Sequence, residues 1–173
     1  AGSAGTTTAA LIYGSDISPS DNQDSYSWNG VAWSEEGALN SNFQNGASGG
    51  PTENTAFAGG SLYSPAPISS TRFETYNGTV WANGPAMGTG QYQNRGFGSS
   101  AECLSIGGYN QITTVQRFNG TAWATSPSLA AGRKQFASSN FGASGVTSGW
   151  VGSGADFPSG ATEKFSEESL ADN

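Results

Sequence analysis

The chain contains no histidine. That removes the side chain that titrates nearest neutral pH, and with it Ser-His-Asp and Cys-His catalysis, imidazole acid–base chemistry and histidine metal ligation. Cysteine occurs once, as Cys103, so no disulfide framework and no cysteine-rich metal site is expected. A small buried residue is the expectation for it. Basic residues are scarce: Arg72, Arg95, Arg117, Arg133, Lys134 and Lys164 stand against thirteen acids, for a net charge of −7. They form no stripe that could track a phosphate backbone, which argues against a nucleic-acid partner. No apolar run reaches the roughly 18 residues that a membrane span requires. The chain opens AGSAGTTTAA, with neither an initiator methionine nor a signal-peptide pattern. A processed product, or an excerpt of a longer protein, is expected.

What is present is glycine (26 residues) and aromatics (12%), with few charges (11%), a balance opposite to that of a disordered chain. Short apolar runs broken by Gly, Asn, Ser and Pro read as many short strands with tight turns. A phrase recurs: WNGVAW at 28–33, YNGTVW at 76–81 and FNGTAW at 118–123. Its Asn-Gly pairs, Asn29-Gly30, Asn77-Gly78 and Asn119-Gly120, are 48 and 42 positions apart. A period of this length is the signature of a repeat architecture. Upstream of each phrase a glycine marker follows a short apolar stretch: Gly14-Ser15, Gly59-Gly60, Gly107-Gly108 and Gly152-Ser153. Four repeats result, approximately 1–38, 39–86, 87–128 and 129–173. The fourth keeps an aromatic at Phe165 but has no Asn-Gly and no Trp after it. A third marker, LNSNF at 39–43, MGTGQY at 87–92 and LAAGRKQF at 129–136, lies between repeats, and the first repeat lacks it.

Each repeat reads as four strands. Asn-Gly between β-forming segments predicts a two-residue type I′ hairpin, with positive φ at Gly30, Gly78 and Gly120. The paired glycines predict a bend or a close backbone approach. Trp33, Trp81 and Trp123 follow their turns at one interval and are expected at equivalent, buried positions between sheets. One four-stranded sheet cannot cover both of its faces, and stacking such sheets about an axis solves this. The predicted fold is therefore an all-β propeller of four repeats, either a small closed ring or an arc of a larger one.

The run from a glycine pair through an aromatic to a Trp (Gly59-Gly60, Tyr76, Trp81; Gly107-Gly108, Phe118, Trp123) resembles the kelch repeat of β-propellers. The aromatic-to-Trp interval is five, one shorter than the kelch pattern. AGTTTAALIYGS at 4–15, with SYSWNGVAWS and ALN after it, resembles tandem kelch-like repeats of marine bacteriophage proteins, those of cyanobacterial phages in particular. The likeness extends over all four repeats and implies a virion-associated or host-facing protein.

Candidate sites are few. A carboxylate pair drawn from Glu35-Glu36, Glu102, Glu163 and Glu167-Glu168 could support glycoside hydrolysis, though adjacent acids more often form a solvated loop. Asp16, Asp21 and Asp24 put oxygen ligands in one loop, a weak calcium signal without EF-hand spacing. No cofactor is expected. Tyr63, Tyr109 and Phe157 come shortly after their glycine markers and are expected on one partner-facing rim, where aromatic faces can stack on sugars. The favoured role is a non-catalytic structural or host-recognition module on a virion tail, fibre or capsid surface. A lectin-like domain of a secreted or surface bacterial protein is the alternative, and a glycosidase the third reading. Expected partners are other virion proteins or a host-surface glycan, with a homo-oligomer as a further option, and the expected location is the virion or the extracellular space.

Overall fold

A computed structural model of the chain describes residues 1–15, 23–63, 68–140, 146, 148–155 and 161–165. Four antiparallel sheets are arranged as a four-bladed β-propeller. Blade 1 consists of β1 (Gly2–Gly5), β2 (Ala10–Tyr13), β3 (Ser25–Trp28) and β4 (Trp33–Glu35), in that order from axis to rim. Blade 2 contains β5 (Ala47–Gly49) and β6 (Phe57–Gly59). A small ribbon of β7 (Leu62–Tyr63) and β8 (Ile68–Ser69) interrupts it before β9 (Phe73–Tyr76) and β10 (Trp81–Asn83) complete the sheet. Blade 3 is β11 (Arg95–Ser99), β12 (Glu102–Ile106), β13 (Val115–Phe118) and β14 (Trp123–Ser126). Blade 4 shows three strands, β15 (Ala137–Asn140), β16 (Gly149–Gly152) and β17 (Thr162–Phe165).

The second strand of each blade records how it is covered. In β12, Cys103 and Ser105 point to one face, Leu104 and Ile106 to the other, and all four are buried, so both faces are packed. In β2, Leu11 and Tyr13 are buried while Ile12 between them is exposed, so only one face is packed. Three apolar layers account for this difference. Leu11, Tyr13 and Phe43 meet Ala58, Tyr76 and Trp81 between blades 1 and 2. Phe57, Phe73 and Met87 meet Cys103 and Phe118 between blades 2 and 3. Leu104, Ile106 and Phe136 meet Val151 and Phe165 between blades 3 and 4. The inner strands β1, β5, β11 and β15 pack side by side in that order, with no comparable packing of β15 on β1 among the described residues.

Between successive blades runs a five-residue wedge, residues 39–43, 87–91 and 129–133. Its first residue (Leu39, Met87, Leu129) is buried and donates its N–H to the carbonyl of Gln23, Thr71 or Thr113. Its fifth (Phe43, Gln91, Arg133) is buried near the glycine marker. That marker is one residue out of the expected register in two blades. The residues that share a left-handed φ near 60–70° are Gly14 (66°), Gly60 (69°), Gly107 (60°) and Ser153 (60°). Equivalent bonds confirm the match: the N–H groups of these four residues reach the carbonyls of Asp24, Arg72, Thr114 and Ala161. A Cβ on Gly14, Gly60 or Gly107 would come within 2.4–2.5 Å of the carbonyl oxygen of Phe43, Gln91 or Arg133, so glycine is needed where the wedge passes. Ser153 holds the same backbone conformation with a side chain. Ser153→Gly should therefore raise stability by about 0.5–1 kcal/mol, read as a higher denaturation midpoint. An unchanged or lower midpoint would mean that the strain is not there.

The Asn-Gly turns differ from the expected two-residue hairpins. Each is a four-residue loop closed by an aromatic pair: Trp28 opposite Trp33, Tyr76 opposite Trp81 and Phe118 opposite Trp123. Positive φ occurs at Gly30 (93°), Gly78 (97°) and Gly120 (92°), as expected, but not at the asparagines. Each Asn Oδ1 instead accepts the N–H groups two and three residues on, at 2.9–3.0 Å. The side chain replaces a backbone turn bond, so Asn is selected here for its oxygen rather than for a left-handed backbone. The five-position interval from aromatic to Trp is the separation that sets the two rings opposite each other across the hairpin.

Candidate functional site

Among the described residues, cavities and exposed aromatics mark the central channel, the exposed Tyr109 after Gly107, the outer face of blade 1, and a cavity beside Trp150 in blade 4. The channel has a volume of about 690 Å³ and is lined by all four inner strands. Its walls are small residues, chiefly Ser3, Ser48, Gly96 and Ser138, with Arg95 as its long cationic side chain. Desolvation by burial lowers the pKa of Arg95, and its Nη1 donates to the Asn94 carbonyl at 2.9 Å.

Of the three residues expected on a shared rim, the side chain of Tyr109 alone is described. Tyr109 is exposed, at 43%, and stacks on Tyr92 with ring centroids 4.6 Å apart. Burial, then the neighbouring Tyr109, raises the pKa of the Tyr92 hydroxyl. Tyr63 lies in β7, one position beyond the residue that corresponds to Tyr109. Phe157 lies outside the described residues, as do Asp16 and Asp21 of the suggested calcium loop and the pair Glu167-Glu168. Asp24 sits at the base of that loop, its carbonyl accepting from Gly14. Among the described residues no group of three or more acidic or cysteine side chains is placed to hold a metal ion.

Of the carboxylates with a catalytic reading, Glu36, Glu102 and Glu163 are engaged in structure. Glu102 forms an ion pair with Arg117. Glu163 forms one with Arg133 at 2.6 Å and accepts the N–H of Ala130 at 2.7 Å. Glu36 accepts from Ser27 Oγ at 2.6 Å and from the Tyr76 hydroxyl at 3.2 Å. Burial, then the Glu36 charge, pushes that hydroxyl up to about 12. Burial likewise raises the Cys103 thiol, so at neutral pH it is an unreactive core group.

The tryptophans are not equivalent, contrary to expectation. Trp81 is 5% exposed and packs 4.7 Å from Tyr13 of the preceding blade. Trp123 is partly buried against Phe73 of its preceding blade, edge-on at 4.9 Å. Trp33 is 50% exposed, and among the described residues no blade packs on that face of blade 1 as blade 1 packs on Trp81. Ile12 (41%) and Tyr26 (39%) share the uncovered face. These three residues are what the sequence alone misses. Trp33 carries the same repeat mark as Trp81 and Trp123, and nothing local to it in the sequence sets it apart from them. No family model matches the chain, and no curated protein does either. Among the described residues no helix is long and apolar enough to cross a membrane.

Proposed function

We propose that the chain is a non-catalytic recognition or structural module of a phage virion that presents variable loops on a rigid kelch-like propeller. One observation carries the reading. The loops after Gly14, Gly60, Gly107 and Ser153 are pinned at their bases by equivalent backbone bonds, yet their ends lie 10, 12, 7 and 8 positions apart. The scaffold is kept while the loops differ, the pattern of a frame that displays binding surfaces. The ion pairing of Glu102 and Glu163 supports a non-catalytic role, since a working carboxylate needs access to substrate. Three exposed aromatics, Tyr26, Trp33 and Tyr109, favour a second, lectin-like reading in which the partner is a glycan.

The test is attachment of the labelled protein to cells of a panel of marine cyanobacteria, with a parallel assay for hydrolysis of glycosides. Saturable attachment that Tyr109→Ala reduces, at an unchanged denaturation midpoint and without hydrolysis, is the expected result. Hydrolysis abolished by Glu163→Gln would replace the proposal with an enzyme. Attachment to no cell of the panel would remove host recognition.

A further inference from the structure

The central channel holds a positive charge that its walls do not balance. Arg95 lines it, and among the described residues no Asp or Glu does. Arg117 and Arg133 are paired with Glu102 and Glu163, but among the described residues no carboxylate reaches Arg95. The only hydrogen bond of its guanidinium there runs from Nη1 to the carbonyl of its neighbour Asn94, at 2.9 Å. Arg95 is half-buried, and desolvation lowers its pKa. An arginine starts so high that it stays charged at neutral pH, so the cost of desolvation falls on the fold. Packing does not ask for this side chain. Arg95 pairs with Ile106, and the other inner strands have Gly2, Ala47 and Ala137 at the same register.

The channel around Arg95 suits a small oxyanion. A guanidinium presents its N–H donors in a planar fork, and the Asn94 bond leaves most of them free. A carboxylate takes two parallel N–H···O bonds from such a fork. One register position further along the channel stand Ser3, Ser48 and Ser138. Ser138 Oγ donates to the Gly96 carbonyl at 3.1 Å, which leaves its oxygen as an acceptor for a ligand hydroxyl. The volume of about 690 Å³ lies within the roughly 300–1,000 Å³ of small-molecule sites. Arg95 sits at the end of the channel nearest the loop that carries Tyr109, because its partner Ile106 immediately precedes Gly107. Charge sets the valence. One guanidinium balances one negative charge, and a net charge of −7 repels a polyanion.

We infer that the central channel binds a small hydroxylated monocarboxylate, its carboxylate held by the Arg95 guanidinium and its hydroxyls by the channel serines. The inference goes beyond the display of loops and does not depend on host recognition. Calorimetric titration and thermal denaturation with glucuronate, glucose and chloride, at constant ionic strength, test it on the wild type, Arg95→Gln, Arg95→Lys and Lys164→Gln. Glucuronate should bind the wild type and raise its denaturation midpoint, and glucose should do neither. Arg95→Gln should weaken glucuronate binding at least tenfold. Without ligand it should melt at or above the wild type, since an unpaired, half-buried charge is gone. Arg95→Lys keeps the charge without the fork and should bind between the two. Lys164→Gln makes the same charge change in β17 and should bind as the wild type does. Equal binding of glucose, or wild-type affinity in Arg95→Gln, would overturn the inference. Displacement by an equal concentration of chloride would also overturn it, leaving Arg95 the seat of an adventitious ion only. A midpoint of Arg95→Gln well below the wild type would make the cation a structural group and overturn it as well.

Discussion

Trp81→Ala should destabilise the protein by about 3–5 kcal/mol, whereas Trp33→Ala should change stability by less than about 1 kcal/mol. The two residues occupy one position of the repeat and close one kind of hairpin, so local propensity cannot separate them. Burial does. Trp81 is inserted between blades 1 and 2, with Tyr13 at 4.7 Å and Tyr76 at 5.3 Å, and its indole N–H reaches Ser25 Oγ at 3.4 Å. Truncation removes the apolar burial, opens a cavity against Tyr13 and leaves a buried serine without its donor. Trp33 touches Trp28 at 5.5 Å, and half of its surface is already in water. In thermal denaturation the first variant should melt about 10 °C lower and the second within a few degrees of wild type. Comparable losses would show that something covers the face of blade 1 in solution.

The contrast marks how far the sequence could be read. The period, the four strands per repeat and the propeller arrangement follow from patterns that repetition makes visible: Asn-Gly between β-formers, a glycine marker, an aromatic at a constant interval. Fine register does not, because it depends on contacts between repeats. Gly59 and Gly60 look alike in sequence, and only the passage of the Gln91 carbonyl against Gly60 tells them apart. The asparagines signal a turn, but whether Asn serves by backbone or by side chain is decided by which residues pair across the hairpin. The candidate site was less legible still. Tyr109 was named from its place after a glycine and is exposed, while Trp33 reads as core because its counterparts Trp81 and Trp123 pack on the preceding blade. Exposure there is a property of the neighbouring blade, which a local pattern cannot report.

Arg133→Gln alone should cost about 3 kcal/mol, and Arg133→Gln with Glu163→Gln should return to within about 1 kcal/mol of wild type. The protein itself supplies the template. At the end of the preceding wedge Gln91 donates to the Gly107 carbonyl at 2.6 Å, while its oxygen accepts from Gln116 at 2.7 Å. One blade on, Arg133 donates to the Ser153 and Ala161 carbonyls, both at 3.1 Å, and to Glu163 at 2.6 Å. Gln91 and Gln116 thus do with neutral amides what Arg133 and Glu163 do with charges. The Arg133 side chain is 1% exposed and that of Glu163 23%, so removing the cation leaves a poorly solvated carboxylate without its counter-charge. Neutralising both ends removes that penalty and keeps an acceptor for the Ala130 N–H, as Gln116 does for Thr89. Denaturant titration of the two single variants and the double variant gives the coupling energy directly. Additive losses would show that the ion pair is not what joins blade 3 to blade 4, and that the apolar layer of Leu104, Ile106, Val151 and Phe165 holds that interface unaided.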